Sequence, residues 1–261
     1  MVAPLFEFFE RIAGELSVTA SKVITHEDFR VNKQDSPLLD SLVKSLKAEN
    51  AEDAIACAVE KLKEHFQAKG AKMPFAYEVD TGRFTAIDSE FLSFVSEMRN
   101  IRSIGKRSRD FECTVTQRLG QRATGALHRV GHPRDKKRTR KSFNKHLRKL
   151  GFDRPVLLGS EKDGGLDILW LLPVGAIPHR PIVSVQCKNG EFDLKEAYAS
   201  VGTGSSSLAR HSGLQPQVQV PCVLFNDYIY PEMLSPKPMS FVPLGLSDVA
   251  SLEAKISVEL I

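Results

Sequence analysis

Apolar positions recur at helical spacing along the first hundred residues. From Pro4 to Lys22 the stripe is Leu5, Phe8, Phe9, Ile12 and Leu16, and from Pro37 to Leu46 it is Leu38, Leu39, Leu42, Val43 and Leu46. From Glu49 to Ala68 it runs through Ala54, Ile55, Ala58, Val59, Leu62 and Phe66, and it stops before Gly70. Three helices are predicted. The period then changes: Phe75-Ala76-Tyr77-Glu78-Val79 alternates, Asp80-Thr81-Gly82 supplies a turn and Phe84 to Ile87 follows, the pattern of a hairpin. A helix over 89–100 buries Phe91, Leu92, Phe94, Val95 and Met98. No candidate chemistry falls in this region.

A new helix is predicted from Ser108, with Phe111, Val115 and Leu119 on one face and Glu112 one position off that stripe. After Gly120 the chain turns Arg-rich. The run from His132 to Lys141 has almost no apolar content, as an exposed loop would, and a further helix from Ser142 to Leu150 ends at Gly151. Beyond it, 155–158, 166–173 and 182–188 are short apolar runs rich in strand formers, the last two joined by a turn containing Gly175, Pro178 and Pro181. Residues 193–200 suit a helix and 220–225 a fourth strand. Helix, three strands, helix, strand is the order of a mixed α/β core. The chain is therefore expected to comprise a mainly helical region with a small hairpin, 1–101, and an α/β domain, 102–261, with a basic insertion at about 121–149.

Composition keeps the molecule in the globular class: 42% hydrophobic and 26% charged over 261 residues predicts a sizeable buried core. No apolar run approaches the roughly 18 residues of a membrane span, and Glu7, Glu10 and Arg11 interrupt the place where a signal peptide would be apolar. A cytoplasmic protein with no membrane partner is expected. Cys57, Cys113, Cys187 and Cys222 are isolated in sequence, which suits reduced core thiols better than disulfides or a zinc site. The net charge of +4 hides an asymmetry: 12 basic and 17 acidic residues over 1–101, 16 and 3 over 102–150, 8 and 12 over 151–261. A basic block between acidic flanks is the footprint of a polyanion-binding surface, because each Lys or Arg near a phosphate releases condensed counterions. A solvated charged loop would show the same composition.

Candidate chemistry lies just after that block. Asp167 follows Gly164-Gly165-Leu166 and precedes the apolar Ile168-Leu169-Trp170-Leu171-Leu172. A carboxylate entering a buried strand is costly unless it is paired or holds a cation, although a turn-capping Asp has the same setting. On the next run Gln186 and Lys188 share one strand face, while Val183, Val185 and Cys187 share the other. A strand with one wet face would alternate in the same way. Cleaving a phosphodiester needs oxygen ligands for a hard divalent cation and a nearby positive group to support the attacking water, which Asp, Gln and Lys can supply. Other patterns carry less. His128 and His132 have the i,i+4 spacing of a zinc pair on a helix, but Gly131 and Pro133 adjoin them and no third ligand is near. Gly202 to Ser207 has phosphate-loop composition without a Gly-Lys-Ser/Thr ending, with Arg210 and His211 beyond it, and Trp170 reads as core.

Gly164-Gly165-Leu166-Asp167-Ile168 followed by Val185-Gln186-Cys187-Lys188 resembles the core of the Mrr-like restriction endonucleases, a branch of the PD-(D/E)XK nucleases in which Gln replaces the second carboxylate. Phe111-Glu112 resembles that family's helical Phe-Glu pair, and Leu147 to Phe152 resembles the end of its helical segment; the match spans about 108–230. The resemblance implies a restriction-endonuclease-like core with a four-stranded mixed sheet flanked by helices, magnesium-dependent hydrolysis, with Mn²⁺ as a substitute ion, and DNA as substrate. It implies that Asp167, Gln186, the Cys187 backbone carbonyl and Glu112 hold the metal. Lys188 would orient or help deprotonate the water. One carboxylate fewer predicts weaker cation binding than a site with Glu and a preference for one ion. Arg134, Lys136, Lys137, Arg138, Arg140, Lys141, Lys145 and Arg148 are the expected phosphate contacts. No recognition helix is legible, so sequence specificity is left to residues 1–100, a homodimer or a defence-system partner. The alternatives are a non-catalytic nucleic-acid-binding or assembly module on the same fold, or a nuclease for branched DNA or RNA.

Overall fold

The structure, a computed structural model, describes residues 3–31, 36–104, 108–122, 126–129, 167–172, 182–199, 219–229, 233–234 and 239–249. The chain forms two compact units, Met1–Asn100 and Ile101–Ile261.

In the first unit, the helices α1 (Ala3–Val18), α2 (His26–Val31), α3 (Ser36–Leu46) and α4 (Ala51–Ala68) accompany the strands β1 (Val23–Thr25), β2 (Phe75–Glu78) and β3 (Arg83–Ala86). Helix α5 (Ser89–Ser103) runs on from them. The three helical stripes and the hairpin predicted from periodicity are all present. Short β1, which lacks the length to show alternation, pairs antiparallel with β3 and gives the sheet order β1-β3-β2. The core is aromatic: Phe9 meets Phe66 and Phe75 at centroid distances of 5.5 and 6.1 Å, and Phe66 meets Phe91 at 6.1 Å. Edge and offset contacts of this kind add to the burial of the large rings. Asn50 caps α4 by accepting from Asp53 N–H at 2.9 Å. Gly82, at φ +60°, closes the hairpin where the His26 ring leaves no room for a Cβ.

The second unit places helix α6 (Ser108–Arg122) before a five-stranded sheet of β4 (Ala126–Arg129), β5 (Ile168–Leu171), β6 (Ile182–Lys188), β7 (Gln219–Phe225) and β8 (Val242–Leu244), in that spatial order. Pairings β4–β5 and β5–β6 are antiparallel; β6–β7 and β7–β8 are parallel. A parallel neighbour requires a crossover, and residues 194–199, helical in the structure, lie within the β6–β7 connection. The expected α/β class, a mixed sheet flanked by helices with a helical N-terminal region, is what the structure shows. Two strands differ from the sequence reading. Ala126–Arg129 sits in the stretch assigned to the basic insertion, yet it pairs along β5. Val242–Leu244 adds a fifth strand beyond β7. The predicted strand at 155–158 and helix at 142–150 lie outside the described residues. Pro221, with no N–H to give, sits one residue before β8 begins to pair at Cys222, a position where a proline is tolerated.

Phe111, Val115 and Leu119 of α6 are buried, as are Ile168 and Trp170 of β5 and Val185 and Cys222 behind them. An apolar cavity of about 180 Å³ opens among Leu119, Trp170, Val185, Cys222, Leu244 and Val249. With no polar lining it is packing space rather than a place for charged chemistry. On the other sheet face Val223 and Phe225 pack with Ala197, Ile229 and Phe241. Among the described residues both faces of the sheet are thus packed against, and Arg129, Asp167 and Lys188 stand at strand ends.

Candidate active site

Asp167 is the residue at which the chain enters β5. Its backbone N–H donates to the Val185 carbonyl at 3.2 Å, and its carboxylate Oδ2 accepts from Cys187 N–H at 2.7 Å. The side chain stands where a strand would offer a backbone carbonyl, and both contacts bracket Gln186. Asp167 is only 9% exposed, so this charge-assisted hydrogen bond holds a carboxylate in a place where an unpaired one would be costly.

Glu112 is buried as well. The inward side of α6 is wider than its apolar stripe and takes in Glu112 and Arg118 beside Phe111, Val115 and Leu119. Glu112 Oε2 lies 3.4 Å from Nη2 of Arg129, and the side chains are 3% and 11% exposed. Arg129 stands opposite Ile168 on the neighbouring strand, one residue from Asp167. These charges converge on the Cys187 thiol. Burial pushes its pKa well above the ordinary value, the Asp167 and Glu112 carboxylates push it further, and the Arg129 guanidinium opposes them. Cys187 is therefore a protonated, unreactive thiol.

Gln186 and Lys188 point the other way. Strand alternation sets them on the face of their β7 partners, Val223 and Phe225. There Lys188 Nζ lies 2.9 Å from Glu196 Oε1. Gln186 Oε1 is buried and accepts no hydrogen bond among the described residues. The end of β6 is held by Asn226, whose N–H donates to Lys188 O at 2.8 Å and whose Nδ2 donates to Asn189 Oδ1 at 2.8 Å. Arg102 Nη1 donates to Asn226 O, also at 2.8 Å.

The structure thus binds the Asp167 carboxylate to Cys187 N–H, sets Glu112 beside Arg129, and turns Lys188 toward Glu196 on the opposite face. Among the described residues no three His, Cys, Asp or Glu side chains gather to hold a metal. On the α6 side the oxygen donors at hand among the described residues are the Asp167 and Glu112 carboxylates, while the Gln186 amide oxygen, which accepts no hydrogen bond among those residues, lies on the opposite face. Two hard carboxylates fit a magnesium ion only if it keeps most of its waters. Arg129 and Glu196 are charged neighbours that the sequence reading missed. Arg129 is one basic residue in a strongly basic stretch, and only the β4–β5 pairing distinguishes it.

His128 lies in β4 rather than on a helix, so the i,i+4 geometry proposed with His132 does not arise. Trp170 is 4% exposed, as expected of core. Cys57, Cys113, Cys187 and Cys222 are free thiols. No described helix is long and apolar enough to cross a membrane. Arg134, Lys136, Lys137, Arg138, Arg140, Lys141, Lys145, Arg148 and the Gly202 to His211 stretch lie outside the described residues.

No protein-family model and no curated protein matches the chain. Among solved structures, the crystal structure of protein VC1899 from Vibrio cholerae is similar at a TM-score of 0.29 and 13% identity, over 98% of this chain and 55% of that one. The chain spans about half the length of that protein, and a likeness at this level carries no argument about fold or activity.

Proposed function

We propose that the second unit is a magnesium-dependent nuclease that hydrolyses DNA phosphodiesters, of the Mrr-like kind that its Asp and Gln-x-Lys motifs resemble. One observation carries the reading: the buried Asp167 carboxylate is bound to the middle residue of Gln186-Cys187-Lys188, with a second buried carboxylate, Glu112, acting on the same residue. Among the described residues, two buried acids and one arginine act on Cys187, an excess of negative charge there that would favour a cation. Asp167 and Glu112 would hold it, whereas Gln186 Oε1 lies on the opposite sheet face with Lys188. A bound magnesium ion supplies Lewis acidity at the phosphoryl group and a more acidic water. Lys188 would donate to the attacking water or to the phosphate from the end of β6, where its Nζ lies 2.9 Å from Glu196 Oε1. The buried, protonated Cys187 thiol supports hydrolysis without a covalent intermediate, since among the described residues no other nucleophilic side chain stands beside Asp167 and Glu112.

A non-catalytic nucleic-acid-binding module is the second reading, favoured by the placement of Lys188 on the face away from Glu112. Supercoiled plasmid, branched DNA and RNA incubated with the full chain and Mg²⁺ decide between them. Metal-dependent cleavage is expected, reduced on the order of 100-fold or more by Asp167→Ala and by Lys188→Ala, the scale on which catalytic acid–base or electrostatic groups act. Cleavage that survives both substitutions would remove the site assignment. No cleavage of any of the three substrates would favour the binding module.

A further inference from the structure

We propose that the outer edge of β2 (Phe75–Glu78) is a self-association surface, on which a second copy of this chain pairs its own β2 antiparallel about a two-fold axis at Ala76. The surface belongs to the first unit and does not depend on the nuclease reading. The register of the sheet shows which groups are available. Ile87 N–H donates to Pro74 O at 2.9 Å, so alternation along the ladder makes Ala76–Thr85 and Glu78–Arg83 the hydrogen-bonded pairs of β2 and β3. The N–H and C=O groups of Phe75 and Tyr77 therefore point away from β3. In the order β1-β3-β2 that direction is the edge of the sheet, and among the described residues no backbone partner meets them there.

The two edges of this sheet differ. On β1, Ala86 N–H donates to Lys22 O, so Ile24 faces β3 and Thr25 faces outward. That outward N–H is taken by Asp28 Oδ2 at 2.7 Å, and the strand has only three residues. No described side chain does the same for Phe75 or Tyr77. Ala76 and Glu78 are exposed, as are Lys72, Val79 and Asp80 at either end. An open edge is a template for another strand, and natural proteins blunt it with Lys or Pro. Phe75–Glu78 contains neither.

The edge is also complementary to itself. A two-fold axis at Ala76 sets Phe75 opposite Tyr77 of the second copy and Tyr77 opposite its Phe75, so the outward groups form two reciprocal pairs of hydrogen bonds. The same register brings Val79, 68% exposed, to the level of Met73 and brings Asp80 to the level of Lys72, one apolar and one oppositely charged pair on each side of the axis. An axis at Tyr77 would set Asp80 against Pro74. One at Phe75 would engage Glu78, whose carboxylate already accepts from Thr81 Oγ1 at 3.0 Å.

Sedimentation of the full chain from about 1 µM to about 1 mM, the span in which small interfaces associate, is expected to show a monomer–dimer equilibrium. Tyr77→Pro removes an outward N–H that no bond inside the unit uses, and is expected to leave a monomer throughout. Asp80→Lys and Lys72→Asp, both at exposed positions, are each expected to weaken the dimer by about tenfold, and the double variant, which exchanges the two charges, to restore it. These surface changes keep the test decisive even where proline disturbs the hairpin. Amide hydrogen exchange of the native chain locates the contact. Exchange at Phe75 and Tyr77 is expected to slow as concentration rises, whereas Ala76 and Glu78, already bonded to β3, change little. A monomer at every concentration would overturn the proposal and leave the edge to an extended segment of another protein. A dimer in which Phe75 and Tyr77 exchange as they do in the monomer, or whose double variant stays as weak as the single ones, would place the interface elsewhere and overturn it as well.

Discussion

A buried thiol stays protonated where the unfolded chain would ionise it, and two cysteines of the sheet do this. Burial pushes the Cys222 thiol from its ordinary 9.0 to about 12, and Cys187 is raised well above 9.0 by burial and by the two carboxylates beside it. The folded values exceed the unfolded ones, so this contribution to stability is complete below pH 9 and is lost as the pH rises through the interval to about 12. Each such group removes roughly 1.4 kcal/mol of stability per pH unit within that window. Melting temperatures measured from pH 8 to 11 are therefore expected to fall with pH, and to fall less steeply in Cys222→Ala. The slope is the readout, because the truncation itself lowers stability by enlarging the apolar cavity that Cys222 already lines. An identical slope in the variant would mean that Cys222 ionises in the folded protein as freely as in the unfolded chain.

At the scale of the element, two glycines show how local geometry sets the effect of one methyl group. Gly245, between β8 and the helical residues 246–249, donates its N–H to Asp248 Oδ2 at 2.8 Å, and a Cβ there would stand 2.7 Å from Asp227 O and 3.0 Å from Ile229 N. Gly245→Ala is expected to destabilise by about 1–3 kcal/mol through backbone displacement. Gly120, exposed on α6 with nothing near its missing Cβ, is the counter-case: Gly120→Ala is expected to stabilise by about 0.5–1 kcal/mol. Urea midpoints measure both, and equal effects of one sign would contradict the geometry. The same contrast explains what periodicity could reveal. Long amphipathic stretches such as α1 and α4, and a seven-residue apolar strand such as β6, announce themselves because tertiary packing follows their own period. β1, β4 and β8 do not, since three or four residues are too few to establish alternation and only pairing with β3, β5 and β7 defines them. At the site, Asp167 and Gln186-Cys187-Lys188 were legible as motif residues. The burial of Glu112 was not, because α6 turns a broader face inward than its apolar residues mark. Arg129 and Glu196 became visible only through contacts across the fold.

For the whole molecule, the proposed function assigns grip and chemistry to different stretches of the sequence. Asp167 and Glu112 are buried and Arg129 is nearly so, whereas 6 of the 16 basic residues of 102–150 lie in the run 132–141, which has almost no apolar residues. If that run binds the phosphate backbone, affinity and metal occupancy are independent. Replacing Lys136, Lys137, Arg138, Arg140 and Lys141 by Gln is expected to weaken DNA binding and to reduce the slope of log affinity against log salt by up to about 4.5, since each phosphate contact on duplex DNA contributes about 0.9. Mn²⁺ affinity in the absence of DNA is expected to stay at the native level, because none of the five residues is a ligand and charges more than about 8–10 Å away are screened at physiological salt. Fluorescence anisotropy of a labelled duplex across a salt series gives the slope directly. An unchanged slope would make the run ordinary solvated surface and move the DNA grip to other residues. A slope that falls together with Mn²⁺ affinity would mean that the basic run and the carboxylate site act as one electrostatic unit. Only the combination of lower slope and native metal affinity fits a molecule in which one stretch holds the polyanion and a separate buried set of charges acts on it.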